Sequence, residues 1–384
     1  MFGYRLTKVI RIPGLKKVII SVTNDIVNDQ RILRTASTFH KEGWKVELVG
    51  RRIRDGLPAS HVHHQLYRFR MVFKRGPFFY ASYNIRLFFH LLFHPCDLLW
   101  ANDLDTLPAN YLASRCLKTT LVYDAHEYFT EVPELVDRKP VQWIWKRIES
   151  GILPKLKHVI TVSDAIAAEY THRYGIPVGV VRNFPRQLSG MDRPESFNGD
   201  QKKVILYQGT LNRNRGLEPM IRAMAFISDA RLLIVGNGPE KERLVKLVRD
   251  LELDERVQFI SKMLPHQLQR LTPVADLGLS IEEDRGMNYR YALPNKLFDY
   301  IYAGIPVLVS PLPEMVRIVE KYRIGWVLES YKPEEMANQV NGIFQSLDHS
   351  GDELAENLKN ASAELNWEKE EPKLLELIHS LPHY

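Results

Sequence analysis

Short β-branched runs alternate with longer amphipathic segments along nearly the whole chain, and this alternation breaks once, near the middle. No other feature constrains the fold as strongly. A strand, a helix and a further strand in repeating order call for a parallel sheet with crossover helices. The first series predicts strands over 17–22, 45–49, 97–101, 119–123 and 158–162. It predicts helices over 31–43, ending at Gly43, and over 164–170, capped by Ser163. Asn183, Pro185, Ser189, Gly190, Pro194, Asn198 and Gly199 then crowd one stretch, a composition that marks a linker. The pattern restarts with strands expected over 203–207, 231–235, 257–260, 276–281 and 306–309, and residues 352–379 read as helices only.

The expected class is therefore α/β, with two doubly wound, Rossmann-like domains facing a cleft. The expected boundaries are 1–185 for the first domain, 186–202 for the linker and 203–350 for the second domain. Residues 351–384 are expected to form helices that pack back on the first domain. Ligands of open parallel sheets sit beyond the carboxyl ends of the strands. A cleft lined by two sets of strand ends suits a reaction between two substrates, one held by each domain.

Composition supports this and excludes other classes. The 384 residues fit two domains at roughly 100–200 residues each. With 45% hydrophobic and 26% charged residues, the chain is neither disordered, nor collagen-like, nor a coiled-coil rod. Cys96 and Cys116 are the only cysteines, and no Cys/His cluster has zinc-ligand spacing, so neither a disulfide framework nor a structural zinc is expected. No apolar stretch reaches the roughly 18 residues that a spanning helix needs. The apolar run 18–22 is too short for a signal-peptide core, and a reducing cytoplasm is the expected location.

Charge is uneven. Residues 1–200 hold 29 basic and 19 acidic side chains, against 23 and 27 over 201–384. That asymmetry fits a first half facing an anionic surface, nucleic acid or anionic lipid, or simply uneven solvated charge. Within residues 1–100, 17 basic residues face 6 acidic ones, beside the apolar segments 75–80 and 85–93. Trp143-Ile144-Trp145-Lys146-Arg147 repeats the mixture. Aromatic and aliphatic groups beside cations suit an interfacial segment; a buried core helix is the alternative for 88–93.

Three turns in the second half carry chemistry. Strand 203–208 runs into Gly209, then Asn212-Arg213-Asn214-Arg215-Gly216, before a helix. Helix N-termini attract anions, and arginines beside them can hold a diphosphate by charge-assisted hydrogen bonds. Strand 231–235 ends in Gly236-Asn237-Gly238-Pro239-Glu240; Lys241 stands where a dinucleotide fingerprint has its third glycine, and no P-loop occurs, so no nicotinamide cofactor is expected. Pro294-Asn295-Lys296 opens a helix with Asp299 one turn on. Asn295, Lys296 and Asp299 share a face and fit the phosphates and sugar hydroxyls of a nucleotide; a surface ion pair is the other reading. Glu282-Glu283-Asp284 reads as a solvated loop, with a place facing the cleft as the alternative.

In the first half, Asn102-Asp103-Leu104-Asp105 and Asp124-Ala125-His126-Glu127 follow two strands, which points to a site at their carboxyl ends, with helix caps as the alternative for Asp105 and Asp124. His61, His63 and His64 read as a solvated strand end rather than a metal site.

Taken in order, these motifs resemble the retaining glycosyltransferases of family four, which have the two-domain GT-B fold. The matching pieces are Asp29-Gln30-Arg31-Ile32, Ile160-Thr161-Val162-Ser163, Val181-Arg182-Asn183-Phe184-Pro185, Gln208-Gly209 with Arg215-Gly216, Val235-Gly236-Asn237-Gly238-Pro239-Glu240, and Ala303-Gly304-Ile305-Pro306-Val307. They span nearly the whole chain. Tyr123-Asp124-Ala125-His126-Glu127-Tyr128 is similar to a bacterial subgroup that builds surface polysaccharides.

The resemblance implies a nucleotide-sugar donor held by the second domain and a glycan or lipid-linked glycan acceptor held by the first. It implies no cofactor and no nucleic-acid partner; no metal is expected either, since basic residues and helix ends already supply positive charge. Arg215 stands where a basic residue holds the donor diphosphate; Gly209, Arg213, Asn295, Lys296 and Asp299 complete the expected donor set. Asp299 occupies the position of the second glutamate in the family's paired-glutamate motif, with Tyr291 at the first, and Pro294-Asn295-Lys296 looks like the subgroup's replacement. Asp103 and His126 are expected near the reacting carbon, and Asn24, Asp29, Arg31 and Glu127 on the acceptor side. Peripheral contact of the first domain with the inner face of the cell membrane follows from the same likeness. A sugar-nucleotide epimerase of the same fold and a non-catalytic partner are the rival readings.

Overall fold

A computed structural model of the chain describes residues 16–24, 26, 29–52, 64–186, 202–291 and 293–382. Contacts divide the chain into two units, residues 1–182 with 371–384, and residues 183–370.

The first unit is built on β1 (Lys17–Ser21), β2 (Lys45–Arg51), β3 (Gln65–Phe69), β4 (Leu98–Asn102), β5 (Thr120–Ala125), β6 (His158–Thr161) and β7 (Gly179–Val180). They form one parallel sheet in the order β3-β2-β1-β4-β5-β6-β7. In register, Val18 pairs with Leu98, and Ala101 with Tyr123. Every residue of β4 and β5 is buried, as strands covered by helices on both faces require. Asp29 caps the helix Gln30–Lys41 by accepting from the Ile32 amide at 3.1 Å. Ser163 does the same for Asp164–Tyr174 through the Ile166 amide at 3.3 Å.

The second unit carries β8 (Lys203–Gln208), β9 (Ala230–Val235), β10 (Val257–Ile260), β11 (Leu277–Ser280), β12 (Val307–Val309) and β13 (Gly325–Val327). Their order is β10-β9-β8-β11-β12-β13, again all parallel. Both units are thus parallel-sheet α/β domains. In each, the strand order reverses once, between β1 and β4 and between β8 and β11. Such switch points open a crevice at the strand carboxyl ends, where ligands bind.

Residues 187–201, most of the expected linker, lie outside the described residues. The helix Pro333–Glu364 belongs to the second unit, because Leu358 and Ala361 sit in one buried cluster with Leu297, Phe298 and Ile301. Residues 351–370, expected on the first domain, are therefore part of the second. Residues from Glu371 onward belong to the first: Glu371 accepts from Thr38 Oγ1 at 2.7 Å and Lys41 Nζ at 3.1 Å, and His379 meets Glu42 at 2.7 Å.

Candidate functional site

At the first switch point, β4 ends in Asn102 and the chain turns at Asp103, a non-glycine residue with φ of 57°. That left-handed turn is held by the Asp103 amide donating to the Asp124 carbonyl at 3.0 Å, while the Asp103 carboxylate accepts from the His126 amide at 2.8 Å. Two loops, after β4 and after β5, are so tied together. The His126 ring lies between two carboxylates, with Nδ1 3.6 Å from Asp103 and Nε2 3.4 Å from Asp124. Burial opposes its charge, but Asp103 and Asp124 outweigh it and push the pKa up to about 9. His126 is an imidazolium at neutral pH. Burial raises the Asp103 carboxyl, and His126 moderates the rise.

Arg31 is not where an acceptor contact would be. Its side chain is only 2% exposed and grips Asp124 with two bonds, Nε to Oδ2 at 3.1 Å and Nη2 to Oδ1 at 2.6 Å, while Nη1 donates to the Val181 carbonyl at 2.7 Å. Burial would raise the Asp124 pKa, yet Arg31 and His126 hold it well below the usual carboxylate range. Neither Asp124 nor Asp105 is a helix cap. Asp105 is buried and accepts from the Thr23 hydroxyl; burial, then Asp103, push its carboxyl up to about 7. Asp29 serves as the cap described above. Asn24 is exposed and its carbonyl takes the Arg51 amide at 3.3 Å; Glu127 is half-buried. His61 and His63 lie outside the described residues, and the His64 ring meets that of His40 at 5.5 Å.

At the second switch point, β8 ends in Gln208, followed by Gly209, and β11 in Ser280, followed by Ile281 and Glu282. Glycine is required here for space: a Cβ on Gly236 would collide with the Gly209 carbonyl, and one on Gly216 with that of Ile281. Gln208 is held by three partners. Its amide donates to the Tyr300 hydroxyl at 3.1 Å, its side-chain oxygen accepts from Thr272 at 3.0 Å, and Nε2 donates to Asp299 at 2.7 Å. Asp299 is thereby aimed at Gln208 and not paired with Lys296, as the surface-pair reading required.

Lys296 is 8% exposed; its Nζ lies 2.6 Å from Glu282 Oε1 and 4.0 Å from the centre of the Tyr207 ring. Arg215 reaches the same Oε1 at 3.2 Å through Nη1, and lies over the Tyr289 ring at 5.1 Å. Glu282 was expected in a solvated loop and is 1% exposed. Burial works against its charge, and Lys296 and Arg215 more than offset this, holding the carboxyl below its ordinary range. Its position directly after a switch-point strand was the signal in the sequence; the run Glu282-Glu283-Asp284 hid it.

Two expected donor residues stand apart from this cluster. Arg213 is 85% exposed and pairs with Glu240 at 3.1 Å. Asn295 is exposed and accepts from the Asn183 side chain at 3.2 Å. A cavity of about 570 Å³ opens beside Arg215, with Asn214, Glu240, Arg243, Glu283 and Arg285 in its wall. Among the described residues, no group of three or more His, Cys, Asp or Glu side chains is placed to hold a metal ion. No helix among them is long and apolar enough to cross a membrane.

Residues 30–184 match the family described as Glycosyltransferase Family 4, and residues 191–364 match Glycosyl transferases group 1. Consecutive and together spanning most of the chain, the two matches make it a GT-B protein of the group 1 and family 4 glycosyltransferase type. The sucrose-phosphate synthase of Thermosynechococcus elongatus shares the fold, with a TM-score of 0.74, 17% identity, and coverage of 95% of this chain and 98% of that one. Anabaena Alr3699/HepE in complex with UDP does so with a TM-score of 0.71 and 16% identity, covering 96% and 100%. The N-acetyl-alpha-D-glucosaminyl L-malate synthase of Bacillus anthracis is 21% identical over 189 residues, which is 48% of this chain and 46% of that protein. The chain thus spans about half the length of the curated relatives it matches.

Proposed function

We propose that this protein transfers a sugar from a nucleoside-diphosphate sugar to a glycan or lipid-linked glycan, with retention of configuration and without a divalent metal. The observation that carries the reading is the convergence of Arg215 and Lys296 on one point at the β8/β11 switch point. In the reaction the bond between the sugar's anomeric carbon and the diphosphate oxygen breaks, and negative charge collects on the diphosphate. Two preorganised cations stabilise that charge without having to reorganise as it forms. The acceptor oxygen forms the new bond from the same face, and its proton passes to the departing diphosphate oxygen. Asp299, steadied by Gln208, is suited to accept hydroxyls of the donor ribose. The fold neighbour from Anabaena is a complex with UDP, which makes UDP the first probe.

In the first unit, His126, held between Asp103 and Asp124, which raise its pKa, is assigned near the reacting carbon. Asp103, held against it, is the second group assigned there. The first unit also supports peripheral contact with an anionic membrane face. Phe78, Ile85, Phe89 and Phe93 are each at least 52% exposed along one side of the helix Pro77–Phe93, beside exposed Arg86. Trp143 and Ile144 are exposed too, with Arg147 over the Trp143 ring at 5.2 Å. A role at the cytoplasmic face of the membrane in surface polysaccharide synthesis fits these features.

The test is a thermal-shift screen of UDP-, GDP- and ADP-sugars with EDTA present, repeated on Arg215→Ala. A charge-assisted contact contributes roughly 1.5–3 kcal/mol, so the variant is expected to bind the stabilising donor at least about tenfold more weakly while still folding. A screen with no stabilising nucleotide sugar, or a variant with undiminished affinity, overturns the assignment.

A further inference from the structure

Glu282 is buried at the very point where the diphosphate reading needs positive charge, and a carboxylate there calls for an account. Its two oxygens are used differently. Oε1 faces both cations, Lys296 Nζ at 2.6 Å and Arg215 Nη1 at 3.2 Å. Oε2 accepts from the Ser280 hydroxyl at 3.1 Å. The backbone is anchored as well: the Glu282 carbonyl accepts from Ser310 Oγ at 2.6 Å and from the Tyr331 hydroxyl at 2.7 Å, and the next amide, of Glu283, donates to the Asn214 carbonyl at 2.9 Å. The last bond ties the loop after β11 to the turn that carries Arg215. Five interactions from four other segments thus converge on two residues.

A glutamate pinned in this way does two things by electrostatics alone. It draws two like charges to one oxygen, although they would repel each other if left unpaired. It also lowers the net charge of the cluster from two positive to one positive. The cations keep capacity for a further acceptor. Arg215 is 23% exposed, and its Nε is buried without a hydrogen-bond partner among the described residues.

We propose that Glu282 is a positioning residue of the anion site, a built-in counter-charge that converges Arg215 and Lys296 and limits how tightly the site holds a nucleoside diphosphate. The inference rests on the donor-site reading above. In the working enzyme the diphosphate arrives within a donor and leaves as a product, and an uncompensated pair of cations would retain the product. The glutamate keeps the cations in place while weakening their grip, which serves turnover rather than affinity.

The two effects separate in two variants. Glu282→Gln keeps the length and the side-chain oxygen that faces both cations and removes only the charge. Glu282→Asp keeps the charge and shortens the reach, so one carboxylate oxygen no longer meets both cations. Calorimetric titration with UDP, GDP and ADP at fixed salt reads each effect. With Glu282→Gln, affinity for the diphosphate that binds wild type is expected to rise about fivefold to tenfold, with a steeper loss as salt is raised. With Glu282→Asp it is expected to fall by a similar factor.

A merely structural glutamate would weaken binding in both variants, and that result overturns the proposal. So does unchanged affinity in Glu282→Gln. If Glu282→Gln does not fold, Glu282→Met, uncharged and of similar length, takes its place: tighter binding supports the counter-charge role, and unchanged or weaker binding overturns it. Failure of wild type to bind any of the three nucleotides would instead sink the donor-site reading itself, and Glu282 would then be a structural ion pair.

Discussion

Three charges in contact, Arg31, Asp124 and His126, decide how the first site behaves with pH. The folded state raises the His126 pKa from its ordinary value near 6.5 to about 9. A raised pKa means that the folded protein binds the proton more tightly than the unfolded chain does. The resulting stabilisation is complete below pH 6.5 and is lost as pH climbs through 9. The shift corresponds to roughly 3 kcal/mol at most. Asp105 and Glu149, both pushed up to about 7 mainly by burial, lose stability in the same direction but largely below pH 7. Asp103, raised by burial and in contact with the ring, titrates together with His126, and between pH 7 and 9 this pair stands clear of Asp105 and Glu149. Urea denaturation of wild type at pH 7 and at pH 9 should show a marked fall in stability, and His126→Gln should flatten it. An equal fall in both proteins would show that the imidazolium is not held by its neighbours. The clustering of Asp103, Asp124 and His126 was legible because they stand at the carboxyl ends of two neighbouring strands, where a parallel sheet places its ligands. The role of Arg31 was not, because its burial depends on Asp124 and on the Val181 carbonyl, both far along the chain. For Glu282 the solvated-loop reading was preferred over the cleft-facing one for the same reason. A run of acids looks solvated until the two cations that neutralise one of them are placed in space.

At the scale of elements, the expected strands of the sheet interiors are present, and those missed are at the edges. β3 is half-exposed, with the pattern of an edge strand, and β7 and β13 are only two and three residues long. Short edge strands lack the continuous apolar run that marks a strand buried on both faces. The helix Pro77–Phe93 shows the opposite difficulty. Its sequence is apolar nearly all round, which fits a core helix, yet Phe79, Tyr83, Leu87 and Leu91 are buried while Ile85, Phe89 and Phe93 face solvent. Single exposed apolar residues need no explanation, but a row of them on one face beside arginine does. Replacing Ile85, Phe89 and Phe93 together by serine should reduce sedimentation with anionic vesicles at low salt. The melting temperature should stay put, because substitutions at exposed positions usually change stability by no more than about 0.5 kcal/mol. Sedimentation unaffected by the three changes, or equal for neutral and anionic vesicles, would remove this helix as a membrane-facing element.

For the whole molecule, the informative feature is that the chain returns to its first unit at the end. Residues 371–384 belong with 1–182, although everything between 183 and 370 forms the other unit. Leu374 and Ile378 are 1% exposed and Leu381 3%, spaced so that one side of the helix Trp367–Ser380 is covered. The family likeness pointed to this return, and the apolar spacing of the last helix agreed with it, but neither gave the boundary. Residues 351–364 have a similar helical pattern, and only their partners show that they complete the second core. A chain ending at Glu370 therefore tests one unit against the other. It loses three buried aliphatic side chains at about 1.5–3 kcal/mol each, and the bonds of Glu371 to Thr38 and Lys41 with them. A deficit of this size corresponds to roughly 10 °C or more for a unit of 150–250 residues. In scanning calorimetry the truncated protein should show an early transition lowered by that amount, assigned to the first unit by its pH dependence through His126. The transition of the second unit should stay in place, because its own core keeps Leu358, Ala361 and Leu365. A truncated chain whose first-unit transition is unmoved would mean that the terminal helix rests on the first unit without supporting it.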